Sequence, residues 1–174
     1  AGGGEVEGNV VLDEAKGIKR IGSGAFTGNT KITYIKMPAG LTTVGADAFK
    51  GCTALRGMTI PTGVTAIEES AFEGCSALTQ FALPATIEDI GNRAFYGDSR
   101  LFMVYMKSIG ISRLQNIGEY AFYGCSALVE FCSDTEFTFP RSLTNIGAYA
   151  FYRCSAVKTI NFSDNISTMG AHVF

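Results

Sequence analysis

Apolar and polar positions along this chain fall into one pattern that returns every 23 residues. The unit from Leu78 to Gly97 reads LTQFALPATIEDIGNRAFYG, and the unit before it, from Leu55, reads LRGMTIPTGVTAIEESAFEG. Phe81 and Leu83 alternate with Gln80 and Ala82, the period-two signature of a half-buried strand. Pro84 follows and ends it, because proline cannot donate to a ladder; Pro38 and Pro61 stand in the same place. Ile87 and Ile90, three apart, point into the same core from a turning segment. Gly91, like Gly22, Gly45, Gly118, Gly147 and Gly170, predicts a tight bend or a positive φ. The phrase E-x-x-A-F-x-G then predicts one or two helical turns. Its small Ala lets the helix approach the sheet, its Phe fills the interior, and Gly74, Gly97 and Gly124 suit a helix C-terminal cap.

The Ala-Phe pair counts the units. It ends at Phe26, Phe49, Phe72, Phe95, Phe122 and Phe151, and Val173-Phe174 is a seventh with Val for Ala. The steps are 23, 23, 23, 27, 29 and 23, so four extra residues precede Phe122 and six precede Phe151. One unit cannot bury its own apolar face. Stacked units turn each position into a continuous ladder, which is why the phrase must repeat. The expected fold is an α/β-type repeat solenoid, a short curved stack of about seven strand–turn–short helix units.

The consensus L-x-x-φ-x-φ, where φ is apolar, followed by I-G-x-x-A-F-x-G-C-x-x-L, resembles the BspA-like class of leucine-rich repeats. The resemblance covers roughly residues 18–174. It implies a leucine-rich-repeat solenoid on a cell-surface or secreted protein, with adhesion to proteins or cells as its role and no shared catalytic residues. The chain departs from the pattern at insertions near residues 107–111 and 132–138. Residues 1–17 are expected to be a leader with a possible first strand. The opening AGGGEVEG lacks the charged and apolar regions of a signal peptide. The chain also stops inside a repeat, so a segment of a longer protein is expected.

Composition changes the picture only by exclusion. Hydrophobic residues make up 47% of 174 and supply ample core, while charged residues are only 17%. A net charge of −2 gives no electrostatic footprint for nucleic acid. No apolar run approaches the ~18 residues of a membrane helix.

Four of the five cysteines, Cys52, Cys75, Cys125 and Cys154, stand three residues after a repeat Phe, where other units carry Asn29 and Asp98. They are expected to form a buried, inert thiol ladder. Disulfides between layers are the sharper alternative, since strand spacing falls inside the permitted Cα range. Zinc lacks a C-x-x-C pair. Cys132 lies off the ladder and is expected to be the most exposed thiol.

No catalytic residues, metal ligands or cofactor are assigned. His172, the only histidine, shares its slot with Tyr149, Tyr120, Arg93, Ser70, Asp47 and Gly24. A slot so tolerant reads as solvent-facing. Glu68-Glu69 and Glu88-Asp89 are expected at helix starts or the turns before them, where they suit the dipole. Asp134-Thr135-Glu136 and Ser163-Asp164-Asn165 lack calcium-loop spacing.

Surface remains. In a solenoid the positions free to vary carry recognition. On the strand face these are Tyr34, Lys36, Thr59, Gln80, Met103, Tyr105, Glu130, Thr159 and Asn161, with Gly57 and Ala82 making a shallow middle flanked by Tyr34 and Tyr105. A tyrosine stripe is the second candidate. Tyr96, Tyr123 and Tyr152 follow the repeat Phe, and Tyr120 and Tyr149 precede it by two. This stripe reads either as a self-stacking shield or as an aromatic patch for a partner. The expected function is a non-enzymatic binding module for a protein or glycan. A structural spacer, or an accessory domain of a larger and possibly enzymatic protein, is the alternative. End-to-end or face association is open.

Overall fold

The computed structural model describes residues 6–13, 16–106, 112–132 and 136–174. The chain is a parallel β-solenoid of about seven turns with three sides. The first side carries the longer strands β1 (Gly8–Val11), β3 (Ile32–Lys36), β5 (Gly57–Thr59), β7 (Gln80–Leu83), β9 (Met103–Met106) and β11 (Glu130–Phe131). The second side carries two-residue strands: β2 (Arg20–Ile21), β4 (Thr43–Val44), β6 (Ala66–Ile67), β8 (Asp89–Ile90), β10 (Asn116–Ile117), β12 (Asn145–Ile146) and β13 (Thr168–Met169). Every pairing is parallel and joins matching sides of successive units, with the ladder interrupted between β5 and β7 on the first side and between β4 and β6 on the second.

Two expectations change here. The segment read as turning at Ile90 is a strand of this second sheet. The phrase around the repeat Phe, read as helical turns, contains no helix among the described residues. Hydrogen bonding gives the reason. Alternate N–H groups leave the layer: Asp47, Phe49 and Gly51 donate to Glu69, Ala71 and Glu73 of the next unit at 3.0, 2.8 and 2.7 Å. The N–H groups between them, of Ala48, Lys50 and Cys52, close turns onto residues three back. A helix needs every N–H for its own i−4 carbonyl, and the neighbouring layer takes half of them. The third side is therefore a stack of turns bonded like a sheet.

The glycines after the second strand meet their expectation in part: Gly22, Gly45, Gly91 and Gly147 each open a turn closed onto their carbonyl by the N–H three residues on. None of Gly22, Gly45, Gly91, Gly118, Gly147 and Gly170 has positive φ. They permit close approach instead. A Cβ at Gly147 would stand 2.5 Å from Glu119 N in the layer before, and one at Gly118 would stand 2.6 Å from Asn92 N. Left-handed backbone lies two residues further on, at the slot of Asp47, Ser70, Arg93, Tyr120, Tyr149 and His172, with φ of 52–57°. It recurs four residues later at Gly28, Gly51, Gly74, Gly97 and Gly124, and at Arg153. The slot read as merely solvent-facing is thus conformationally demanding, and Ser70 within it is buried.

Ladders form the core. The rings of Phe26, Phe49, Phe72, Phe95, Phe122, Phe151 and Phe174 stack at 5.0–5.6 Å, and Phe81 and Phe131 meet them edge-on from the strand side. Each fully buried ring contributes about 1.5–3 kcal/mol of apolar burial.

Candidate binding surface

The strand-side register brings Tyr34 beside Gly57 and Lys36 beside Thr59. Gln80, Met103 and Glu130 line up across β7, β9 and β11, and Ala82 pairs with Tyr105. Tyr34, Lys36 and Gln80 are exposed, and Thr59, Met103, Tyr105 and Glu130 are half-buried. The shallow middle is not open at its first layer. The Tyr34 ring lies over Gly57, 3.7 Å from where a Cβ would be, and its hydroxyl is 3.3 Å from Thr59 Oγ1. Removing the side chain at Gly57 made room that the neighbouring tyrosine fills. Ala82 is buried.

Thr159 and Asn161 are exposed but do not follow Glu130 directly. The second insertion supplies a rung between them. Phe137 bridges Phe131, and Thr138 bridges Asn161, both in parallel. Thr138 N donates to Phe131 O at 3.0 Å, and Asn161 N donates to Phe137 O at 2.9 Å. Phe137 and Phe139 turn inward and meet Phe151, while Glu136 and Thr138 accept from Asn161 Nδ2. A hollow of about 390 Å³ opens beside this rung, lined by Val129, Glu136, Phe137, Lys158, Thr159 and Asn161. Sequence reasoning missed Glu136 and Thr138 as strand-face residues. The signal was present: Phe137-Thr138-Phe139-Pro140 repeats the phrase Phe81-Ala82-Leu83-Pro84. The first insertion, residues 107–111, and Asp134-Thr135 lie outside the described residues.

The tyrosines form two adjoining columns on the turn side. Tyr96, Tyr123 and Tyr152 stack at 4.8 and 5.6 Å, and Tyr120, Tyr149 and His172 stack at 4.9 and 5.0 Å. All five tyrosines are half-buried, so ring faces are largely spent on one another and edges and hydroxyls remain. In earlier layers the same two slots hold charge. Lys50 bridges Asp47 at 3.3 Å and Glu73 at 3.5 Å, and Ser70 Oγ donates to Glu73. Arg93 joins the two ladders: Nε and Nη2 donate to both Glu73 oxygens at 3.0 and 2.9 Å, and its guanidinium lies 4.0 Å above the Tyr96 ring. The Arg93 hydrogen bonds hold the Glu73 carboxyl at about 2, below the usual carboxylate range.

The cysteines are all free thiols. Cys52, Cys75, Cys125 and Cys154 each donate Sγ–H to the repeat-Phe carbonyl of the layer before, at 3.1–3.2 Å. Burial pushes Cys52 up to about 11 and Cys154 to about 12, so the ladder is protonated and unreactive at neutral pH. Cys132 is only half-buried, yet it packs against the core and burial raises its thiol as well. It is still the most exposed of the five thiols, as its place off the ladder suggested.

The acidic residues read as helix-start groups have other surroundings. Asp89 Oδ1 accepts from Asn116 Nδ2 at 2.5 Å, and Asn116 Oδ1 accepts from Asn145 Nδ2 at 2.6 Å, a polar ladder along the second sheet. The recurring D-I-G and N-I-G triplets carried that signal. Glu88 faces Arg113 at 3.9 Å. Among the described residues no group of three or more His, Cys, Asp or Glu could hold a metal ion, and no helix is long and apolar enough to cross a membrane.

The chain belongs to the BspA type leucine-rich repeat family, whose model matches residues 10–129 and 128–174 in six copies. Solved structures share the fold. A leucine-rich repeat protein of T. pallidum superposes with a TM-score of 0.62 at 21% identity, over 89% of this chain and 79% of its own. The pneumococcal vaccine antigen PcpA gives a TM-score of 0.70 at 19% identity, over 92% of this chain and 42% of its own. A leucine-rich repeat protein from Bacteroides ovatus gives 0.57 at 18% identity, over 95% and 63%. Among curated proteins, none matches the chain in sequence.

Proposed function

We propose that this chain is a non-enzymatic interaction module of a surface or secreted protein, binding a protein or glycan partner through its strand side. One observation carries this reading. Parallel register aligns chemically varied side chains into outward rows on two successive sheets, Lys36 with Thr59 on one and Gln80 with Met103 and Glu130 on the other, over a core that is otherwise uniform. A scaffold alone needs repetition only inside, and variety outside is what recognition uses. The likeness to a vaccine antigen and other bacterial repeat proteins supports an extracellular setting. The self-stacked tyrosine columns fit the shielding reading better, because little ring face is left for a sugar to cover.

The test is a screen of the purified chain against extracellular-matrix proteins and a glycan array, with Tyr34→Ala/Tyr105→Ala and Tyr123→Ala/Tyr152→Ala variants alongside. Saturable binding lost only in the first variant supports the strand side, and loss only in the second moves the site to the tyrosines. No saturable binding by the folded chain favours the spacer or accessory role.

A further inference from the structure

The thiol ladder has one break. In the fourth layer its place is taken by Asp98, which is fully buried and whose carboxyl oxygens both lack a hydrogen-bond partner. Every thiol in the ladder meets the layer before it as a donor, to Phe26, Phe49, Phe95 and Phe122 carbonyls in turn. The corresponding acceptor for the fourth layer is the Phe72 carbonyl. A carboxylate has no hydrogen to offer it; a carboxylic acid has one. Asn29, the other non-cysteine in the ladder, shows how a polar side chain is satisfied there. Its Nδ2 donates to Val6 O at 2.9 Å, and its Oδ1 accepts from Lys31 N and Ile32 N at 2.9 Å. Asp98 has neither bond, and Leu101 N, which stands where Ile32 N does, donates to the Asp98 main-chain carbonyl at 3.0 Å instead. The N–H groups of Gly74 and Cys75 that face it are committed to Tyr96 O and Phe72 O.

We infer that Asp98 is held as a neutral carboxylic acid that substitutes for a thiol donor, making the joint between the third and fourth layers dependent on one proton. The Gly74 and Cys75 N–H dipoles favour the anion, but the Glu73 carboxylate repels a second charge and the Cys75 and Cys125 thiols offer no cation. Burial also opposes ionisation. The joint is also where Arg93 ties the charged ladder to the tyrosine columns. Loss of the proton therefore loosens the solenoid at the seam between its two differently surfaced halves. A group that binds its proton more tightly when folded makes the fold less stable as pH rises above its unfolded value.

The experiment compares the whole chain with Asp98→Asn and Asp98→Cys. Denaturant unfolding is followed from about pH 4 to about pH 8, the range above the ordinary Asp value. Infrared spectra of protein labelled with ¹³C-aspartate are taken at neutral pH. The expected result is a wild-type midpoint that falls with pH relative to both variants, and a protonated-carboxyl band that Asp98→Asn removes. A wild-type profile parallel to that of Asp98→Asn, or no such band at neutral pH, overturns the inference. The band is read on the wild-type chain, so the test survives a variant that fails to fold.

Discussion

Glycine after six of the seven second-side strands was visible as a preference, but its cause was not. Sequence suggests a bend; the structure adds clearance between layers, which depends on atoms 22 or more residues away. Gly147→Ala drives a Cβ to 2.5 Å from Glu119 N and 2.6 Å from Gly118 C, so it is expected to cost about 2–3 kcal/mol in denaturant unfolding. Gly22→Ala meets nothing within 4 Å and should change stability by less than about 0.5 kcal/mol. The third layer carries Glu68 at this place, so the spacing can open where the neighbouring turn allows it. The reverse logic applies to Arg153, whose φ of 64° occupies a place that five other layers give to glycine. Arg153→Gly is expected to raise stability by about 1 kcal/mol, the relief of left-handed strain exceeding the loss of a loose contact with the Tyr123 ring.

Strand, proline and Phe positions were legible because each answers to local chemistry: alternation, a missing donor, a large apolar ring. The helical turn was misread because the phrase E-x-x-A-F-x-G carries helix-forming residues, and only the adjacent layer decides where its N–H groups go. The charged ladder was likewise invisible, since Asp47, Lys50, Ser70, Glu73 and Arg93 lie in different units. Its energetic weight can be measured. The Glu73 carboxyl sits at about 2 when folded, below its unfolded value, so its contribution is complete above the unfolded value and lost as pH falls toward about 2. Glu73→Gln should flatten the acid limb of the stability profile. The difference from wild type near neutral pH is expected to be about 1 kcal/mol, because Arg93 is 39% exposed and the pair is partly screened. Arg93→Gln should flatten the same limb.

Stacked in one column, the Phe rings tie all seven layers into a single core, and their value depends on position in the stack. Phe72 is fully buried between two rings, and Phe72→Ala is expected to cost about 3–5 kcal/mol. Phe174 is 41% exposed with a ring on one side, and Phe174→Ala should cost about 1 kcal/mol. Thermal unfolding of the two variants checks the gradient. The repeat count and this column were readable from spacing alone. The rung at Phe137–Phe139 was missed although its phrase, Phe-Thr-Phe-Pro, matches Phe81–Pro84, because it falls inside a break in the 23-residue spacing. That rung has a geometric outcome. It adds one strand spacing, about 4.8 Å, between β11 and Asn161. The second sheet and the turn side pass from the fifth layer to the sixth with nothing inserted. A wedge on one side of three must tilt the layers after it away from those before, and it shifts the phase of the outward rows by one step. A partner that reads this surface as an even ruler can therefore follow it on one side of the wedge only; a partner that straddles it must itself be uneven.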